Sequence, residues 1–441
     1  MTTLNSFPIY YIKTLKNPRT LVYEWFYSTN NFGTQTKISL FPINLGYLNG
    51  TVYFSSDLYI SQQSHYFDIK NHGITVDGQN NTIYSRNSFD YYGLIGNSQQ
   101  PTLAGFNNVT VRNIINRISS DSINLMDGGY ILRNNFGSQS SNNLIQNCKN
   151  YANIQNTNGA SIGGIGGVVG NRLTTNFQMK NCINNGAITS YSSGLCGSVR
   201  GEFCFVECVN FGSIASSSQG FGFCSGARGN KNIIIGKQLI CYKCINYGQV
   251  NGDSSAAFIK LSFGSLTNSA GIIVIQDCFN AGDLNANNSA PVIFDGFSFG
   301  DGDNNSLLFE NCYNFNYLQG NNSAGFLFFH SYSDYDHRLD NTSLNITFKS
   351  CHSFSFNSST PPNNGGLAII TAEEEPIITN VSLNVINSYV IINNSSQINS
   401  YILKNLAVDL SSVNLITNVS NSGYDFSYNH RNALLTLVLT I

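Results

Sequence analysis

Acids, histidines and cysteines close enough in sequence to do chemistry occur at only a few places in this 441-residue chain. His330-Ser-Tyr-Ser-Asp334-Tyr-Asp336-His337-Arg338-Leu-Asp340 gathers enough of them to hold a metal ion or a general acid and base. The competing reading is a solvated inserted loop, and it is the expected one because the run follows no ligand spacing. Asp334, Asp336, His337 and Arg338 are therefore catalytic candidates only if the protein is an enzyme. Asp301-Gly-Asp303-Asn-Asn305 starts like a calcium loop, but Cys312 stands where the bidentate glutamate belongs. Cys241 and Cys244 form one C-x-x-C and Cys204 and Cys208 one C-x3-C, with no second pair at finger spacing. Zinc needs four ligands, so core packing is the expected role. Glu373-Glu374-Glu375 reads as a surface loop and His72-Gly73 as a turn, and neither a cofactor nor a metal is expected.

The cysteines are more informative as a series. Cys148, Cys182, Cys208, Cys244, Cys278, Cys312 and Cys351 follow one another at intervals of 34, 26, 36, 34, 34 and 39 residues. Each opens a C-x-N-x-G-x-aliphatic unit: NCKNYANI (147–154), NCINNGAI (181–188), ECVNFGSI (207–214), KCINYGQV (243–250), DCFNAGDL (277–284), NCYNFNYL (311–318) and a decayed SCHSFSF (350–356). Asn150, Asn184, Asn210, Asn246, Asn280 and Asn314 recur two residues after the cysteine, and Gly186, Gly212, Gly248 and Gly282 two further on. A period in this range means one supersecondary unit stacked on the next, since no single unit can bury its apolar face alone.

The elements that must position these letters are strands. Five and three residues before six of the seven cysteines the chain is apolar: Phe177/Met179, Phe203/Phe205, Leu239/Cys241, Ile273/Ile275, Leu307/Phe309 and Ile346/Phe348. That alternation is a strand with one buried face. Two polar residues then break the phase and predict a bend or bulge before the cysteine. Burial resumes at the cysteine, the asparagine and an aliphatic residue: Ile154, Ile188, Ile214, Val250, Leu284 or Leu318. A third apolar run, rich in glycine or alanine, closes each unit, as in GGIGGVVG (163–170), SGLCGSV (193–199) and AGFLFF (324–329). Three short strands per ~34 residues describe a coil of an all-β solenoid, a parallel β-helix, in which each repeated letter becomes a column at the ~4.8 Å strand spacing. Cysteine is then a column of free buried thiols and asparagine a structural ladder of carboxamides.

The assembled sentence resembles the GLUG-type repeat, with GGIGGVVGNRLTTNFQMKNCINNGAI (163–188) as the copy most like it. FDIKNHGITVDGQNNTIYS (67–85) and AGFNNVTVRNIIN (104–116) are similar to the opening coils of pectate-lyase-like right-handed β-helices. Together the resemblances cover about residues 50–395 and imply a right-handed parallel β-helix, as in bacterial surface adhesins and proteins of large DNA viruses. Enzymes of the pectate-lyase-like fold use calcium-binding acids or paired carboxylates, and no such constellation is read between Asn143 and Leu318. The expected organisation is a cap or attachment segment at 1–50, the β-helix at 51–395 and a final coil and cap at 396–441, with NALLTLVLTI (432–441) as a covering strand.

A net charge of −2 with 10% charged residues gives no electrostatic basis for nucleic-acid binding. No apolar run approaches the ~20 residues of a membrane span, and no signal peptide is read at the start. The expected function is a non-enzymatic structural or adhesive protein of a surface or large assembly such as a virion, with other proteins of the assembly or surface glycans as partners. The alternatives are a polysaccharide lyase or glycoside hydrolase, and a trimeric fibre.

Overall fold

The computed structural model describes residues 1–418 except 32, 86–87, 99, 101, 119–123, 156–161, 172, 190–191, 216–218, 229–235, 263–270, 296–303, 317, 319–322, 332–342, 356–367, 373–379, 387, 393–402 and 406–414. The described elements are all strands, and they stack into long parallel sheets. One turn illustrates the plan. Phe177–Lys180 lies in the first sheet, Ile183–Asn184 in the second, and Ser192–Ser193 and Cys196–Arg200 in the third. Phe203–Val206 then returns to the first sheet, pairing in parallel with Phe177–Lys180 as Phe177↔Phe203 and Met179↔Phe205. The chain is a parallel β-helix.

Among the described residues, fifteen strands make the first sheet and eleven the second; the third has eleven, with a four-strand stretch ahead of it. The apolar positions expected from alternation fill the interior in register: Ile273↔Leu307↔Ile346 and Ile275↔Phe309↔Phe348, all at most 6% exposed. Strand Gly236–Tyr242 departs from simple alternation. Its register shifts between Leu239 and Cys241, so Ile240 is buried beside Cys241.

The predicted break in phase is a left-handed residue immediately before the cysteine position. Asn113, Asn147, Asn181, Glu207, Lys243, Asp277, Asn311 and Ser350 all have φ between 52° and 56°. Asparagine and aspartate tolerate this backbone best, which explains why they hold five of the eight places. The bend turns the chain from the first sheet into the second without interrupting the parallel ladder. Asn181 N–H, for instance, still donates to the Val206 carbonyl at 2.9 Å.

Residues 1–50 enter the same sheets. Thr2–Leu4 pairs in parallel with Ile43–Leu45, and Ile9–Lys16 with Thr51–Phe54. Tyr23–Ser28 and Thr36–Ile38 then extend the first sheet antiparallel. Reversed direction ends the run of identical edges, as a covered sheet end requires. Trp25 anchors this hairpin: it is 1% exposed, its Nε1–H donates to the Tyr59 carbonyl at 3.1 Å, and its ring meets Phe41, His65 and Phe67.

His65 sits inside that aromatic box, 4.2 Å from the Phe41 ring, and burial pulls its pKa from 6.5 to about 4. The folded value lies below the unfolded one, so the buried neutral ring contributes stability that is complete above pH 6.5 and is lost as pH falls toward 4. The loss amounts to at most about 3 kcal/mol. Denaturation followed by the single tryptophan is expected to show a midpoint that falls across this window. In His65→Phe, which keeps a ring without a titrating nitrogen, the slope is expected to flatten; equal slopes in both proteins exclude His65 as the source.

Candidate functional site

The catalytic candidates Asp334, Asp336, His337 and Arg338 lie outside the described residues, as do Asp301, Asp303 and the run Glu373-Glu374-Glu375. His330 ends up on strand Leu327–Ser331, in register with Asp295 and Thr371. His72 accepts a hydrogen bond at Nδ1 from Asn107 N–H, 2.9 Å away on the next coil, which is turn chemistry. Among the described residues no three histidine, cysteine or acidic side chains converge as a metal site.

What the repeated residues build is a continuous polar wire. Each Nδ2 donates to the Oδ1 of the next coil: Asn116 to Asn150 (2.6 Å), then Asn150 to Asn184, Asn184 to Asn210 and Asn210 to Asn246 (2.8 Å each), Asn246 to Asn280 (2.7 Å) and Asn280 to Asn314 (2.9 Å). Asn314 ends the wire on Ser353 Oγ at 3.2 Å. The second Nδ2 proton of each central rung donates to its own coil, to the carbonyls of Ala152, Gly186, Gly212, Gly248 and Gly282 at 2.8–3.2 Å. Only an N–H can donate to a carbonyl, so these second bonds fix the orientation of the five central amides. All these asparagines are at most 1% exposed. Such groups are tolerated in a core only when paired.

Glycine is what lets the wire run there. A Cβ on Gly212 would stand 1.9 Å from the Gly186 carbonyl and 2.6 Å from Asn184 Nδ2; on Gly248 and Gly282 it would meet the preceding coil's carbonyl at 2.0 and 1.9 Å. From the third sheet, Gly164 and Gly194 press on the same amides, a Cβ there reaching Asn150 Nδ2 at 2.7 Å and Asn184 Nδ2 at 3.0 Å. Two columns of bare backbone thus sheathe one column of carboxamides.

The cysteine column runs beside it. All eleven cysteines are free, and all but Cys204 are buried. At the bend, Sγ of Cys208, Cys244, Cys312 and Cys351 lies 3.4 Å from a carbonyl of the preceding coil, that of Met179, Phe205, Ile275 and Phe309 respectively. The thiol therefore acts as a small apolar group with one weak donor. Burial pushes the thiols of Cys148, Cys208, Cys278 and Cys351 well up, and that of Cys204 to about 12. Thiols held protonated are poor nucleophiles and poor metal ligands.

Two features lie outside the repeated pattern of letters. Asn116 is the first rung of the ladder, hidden because Ile114 takes the cysteine place in RNIIN; its distance of 34 residues from Asn150 is the signal that marks it. On the outside, the position after the rungs from Asn116 to Asn246 carries Arg117, Tyr151, Asn185, Phe211 and Tyr247, and Tyr59 and Tyr84 hold the same place on the two coils ahead of the ladder. Tyr59 and Tyr84 stack at 5.2 Å, Phe211 and Tyr247 at 5.0 Å, and the Arg117 guanidinium lies 4.4 Å over the Tyr151 ring. These rings turn their faces largely toward one another, so the column is cross-coil packing.

Asn210→Ala is expected to lower unfolding stability by about 3 kcal/mol or more, because Asn184 loses an acceptor while Asn246 and the Gly212 carbonyl lose donors. Asn314→Ser, where a serine hydroxyl already receives the wire one rung on, should cost clearly less; both are read from denaturant midpoints. Gly212→Ala should cost about 2 kcal/mol by overpacking. Lys243→Asn, at a left-handed position, should instead raise stability by about 0.5 kcal/mol.

No family model matches the chain, and no curated protein matches it either.

Proposed function

We propose that the protein is a non-enzymatic structural or adhesive rod of a cell surface or a large assembly such as a virion, built from GLUG-type repeats on a pectate-lyase-like scaffold. The observation that carries this reading is the fully satisfied asparagine wire through the middle of the coil. Its side chains are committed to one another and to backbone, which makes a rigid interior and leaves them no reactive capacity. Eleven rungs of the second sheet at ~4.8 Å give a stiff element of roughly 50 Å. Its net charge of −2 and 10% charged residues suit recognition through hydrogen bonds and rings more than through long-range electrostatics.

The partners in this reading are other proteins of the assembly or surface glycans, and self-association into a trimer is compatible with a rod. Antibody labelling of the native source should place the protein on the outer surface of the particle or cell, and incubation with a panel of polysaccharides should release no product. Release of unsaturated or reducing ends that disappears in the Asp334→Asn/Asp336→Asn/His337→Gln variant would replace this reading with the lyase or hydrolase. Light scattering on the purified protein distinguishes one rod from three.

A further inference from the structure

The N-terminal end of the first sheet carries a cleft of about 450 Å³ that the wire does not use. It is lined by Tyr11, Tyr53, Phe54, Ser55, Gln79, Asn81 and, from the hairpin loop, Asn31. Tyr11 and Tyr53 stand in register on adjacent parallel strands with rings stacked at 5.3 Å and 25°. The next rung after Tyr53 is Asp77, which is 2% exposed and turned away onto Arg112 Nε, Asn113 Nδ2 and Gln79 N–H, each at 2.9 Å. The Tyr53 ring is therefore followed along its column by a smaller side chain already occupied elsewhere. Asn81 is held in place by donating to the Phe54 carbonyl at 2.6 Å, and Gln79 stands exposed on a left-handed turn with φ of 53°.

Besides the fully buried Phe54, the lining contains two half-buried phenol rings, three side-chain amides and a hydroxyl, and no charged side chain. Amides and hydroxyls present donors and acceptors at once, while a ring presents an apolar face with a polar rim. A charged ligand would give up hydration there without a counter-charge. A purely apolar one would leave the amides unpaired. The volume lies within the range of about 300–1,000 Å³ typical of small-molecule sites. We infer that this cleft is a binding subsite for a neutral pyranose unit, with a C–H face of the sugar against Tyr53 and its hydroxyls bonded to Gln79 and Asn31. The inference rests on the adhesive reading above and assigns it a place.

The test is calorimetric titration of the full chain with neutral oligosaccharides first selected on a glycan array, repeated on Tyr53→Phe, Tyr53→Ala and Gln79→Gly. Glycine suits the left-handed turn, and the emission of Trp25 reports that the fold at this end is kept. Tyr53→Phe should bind within a few-fold of the native chain, whereas Tyr53→Ala and Gln79→Gly should each weaken binding by about tenfold or more. A parallel arm with a glycoprotein before and after enzymatic deglycosylation separates a free polysaccharide from a protein-borne glycan as the source. Binding of acidic sugars alone, binding indifferent to Tyr53→Ala in a folded variant, or no binding of any neutral sugar overturns the subsite. If the protein still labels the surface in those cases, the structural reading stands without it; if it labels no surface, both fall.

Discussion

Everything in this fold leans on one constraint: the buried carboxamide of each coil from Asn116 to Asn314 has to be paired on both sides at once. The ladder meets that demand by handing one N–H up the axis and one back to its own turn, so that each coil completes the hydrogen bonding of its neighbour. Glycine follows from the same requirement, because the backbone carbonyls of successive turns come too close for a methyl group. The aliphatic residue that closes the unit follows as well. Ile188, Ile214, Val250, Leu284 and Leu318 bridge from coil to coil and seal the turn from water. Cysteine, asparagine, glycine and aliphatic are thus four consequences of one packing problem solved repeatedly.

The same constraint bears on function through what it excludes from the interior. Groups that pair along the axis and into backbone are spent on rigidity, and beside them burial holds the thiols of Cys148, Cys208, Cys278 and Cys351 protonated. In the proposed reading, recognition falls to the outside, where the rows differ from coil to coil. Some of those rows are internally satisfied, such as Asp77 with Arg112 and Glu310 with Lys349 across adjacent strands. The stacked rings after the ladder rungs are satisfied in the same sense. The N-terminal cleft is different, since its amides and rings surround open volume.

Parallel stacking is why so much of the fold is legible in the amino-acid sequence. It repeats one environment at one spacing, so identical physics writes identical letters at Asn184, Asn210 and Asn246, and the paired polar residues ahead of Cys182, Cys278 and Cys312 betray the left-handed bend. Legibility fails where the repetition fails. Asn116 lost its cysteine partner to Ile114, and the bulge between Leu239 and Cys241 changes register without changing composition. The entry of residues 2–16 into the sheets rests on pairings with 43–45 and 51–54 that no period announces. The cleft combines Tyr11, Asn31, Tyr53 and Gln79 from four unrelated stretches, and no local pattern could bring them together.

The wire itself is open to direct observation by NMR of a chain labelled at asparagine, through the exchange of side-chain carboxamide protons with deuterated solvent. The Nδ2 protons of Asn184, Asn210, Asn246 and Asn280 should be protected on the timescale of the strand backbone amides, while those of exposed Asn185 exchange freely. Rapid exchange at the four interior positions in the folded protein would mean that water reaches them, and the continuous ladder would not exist.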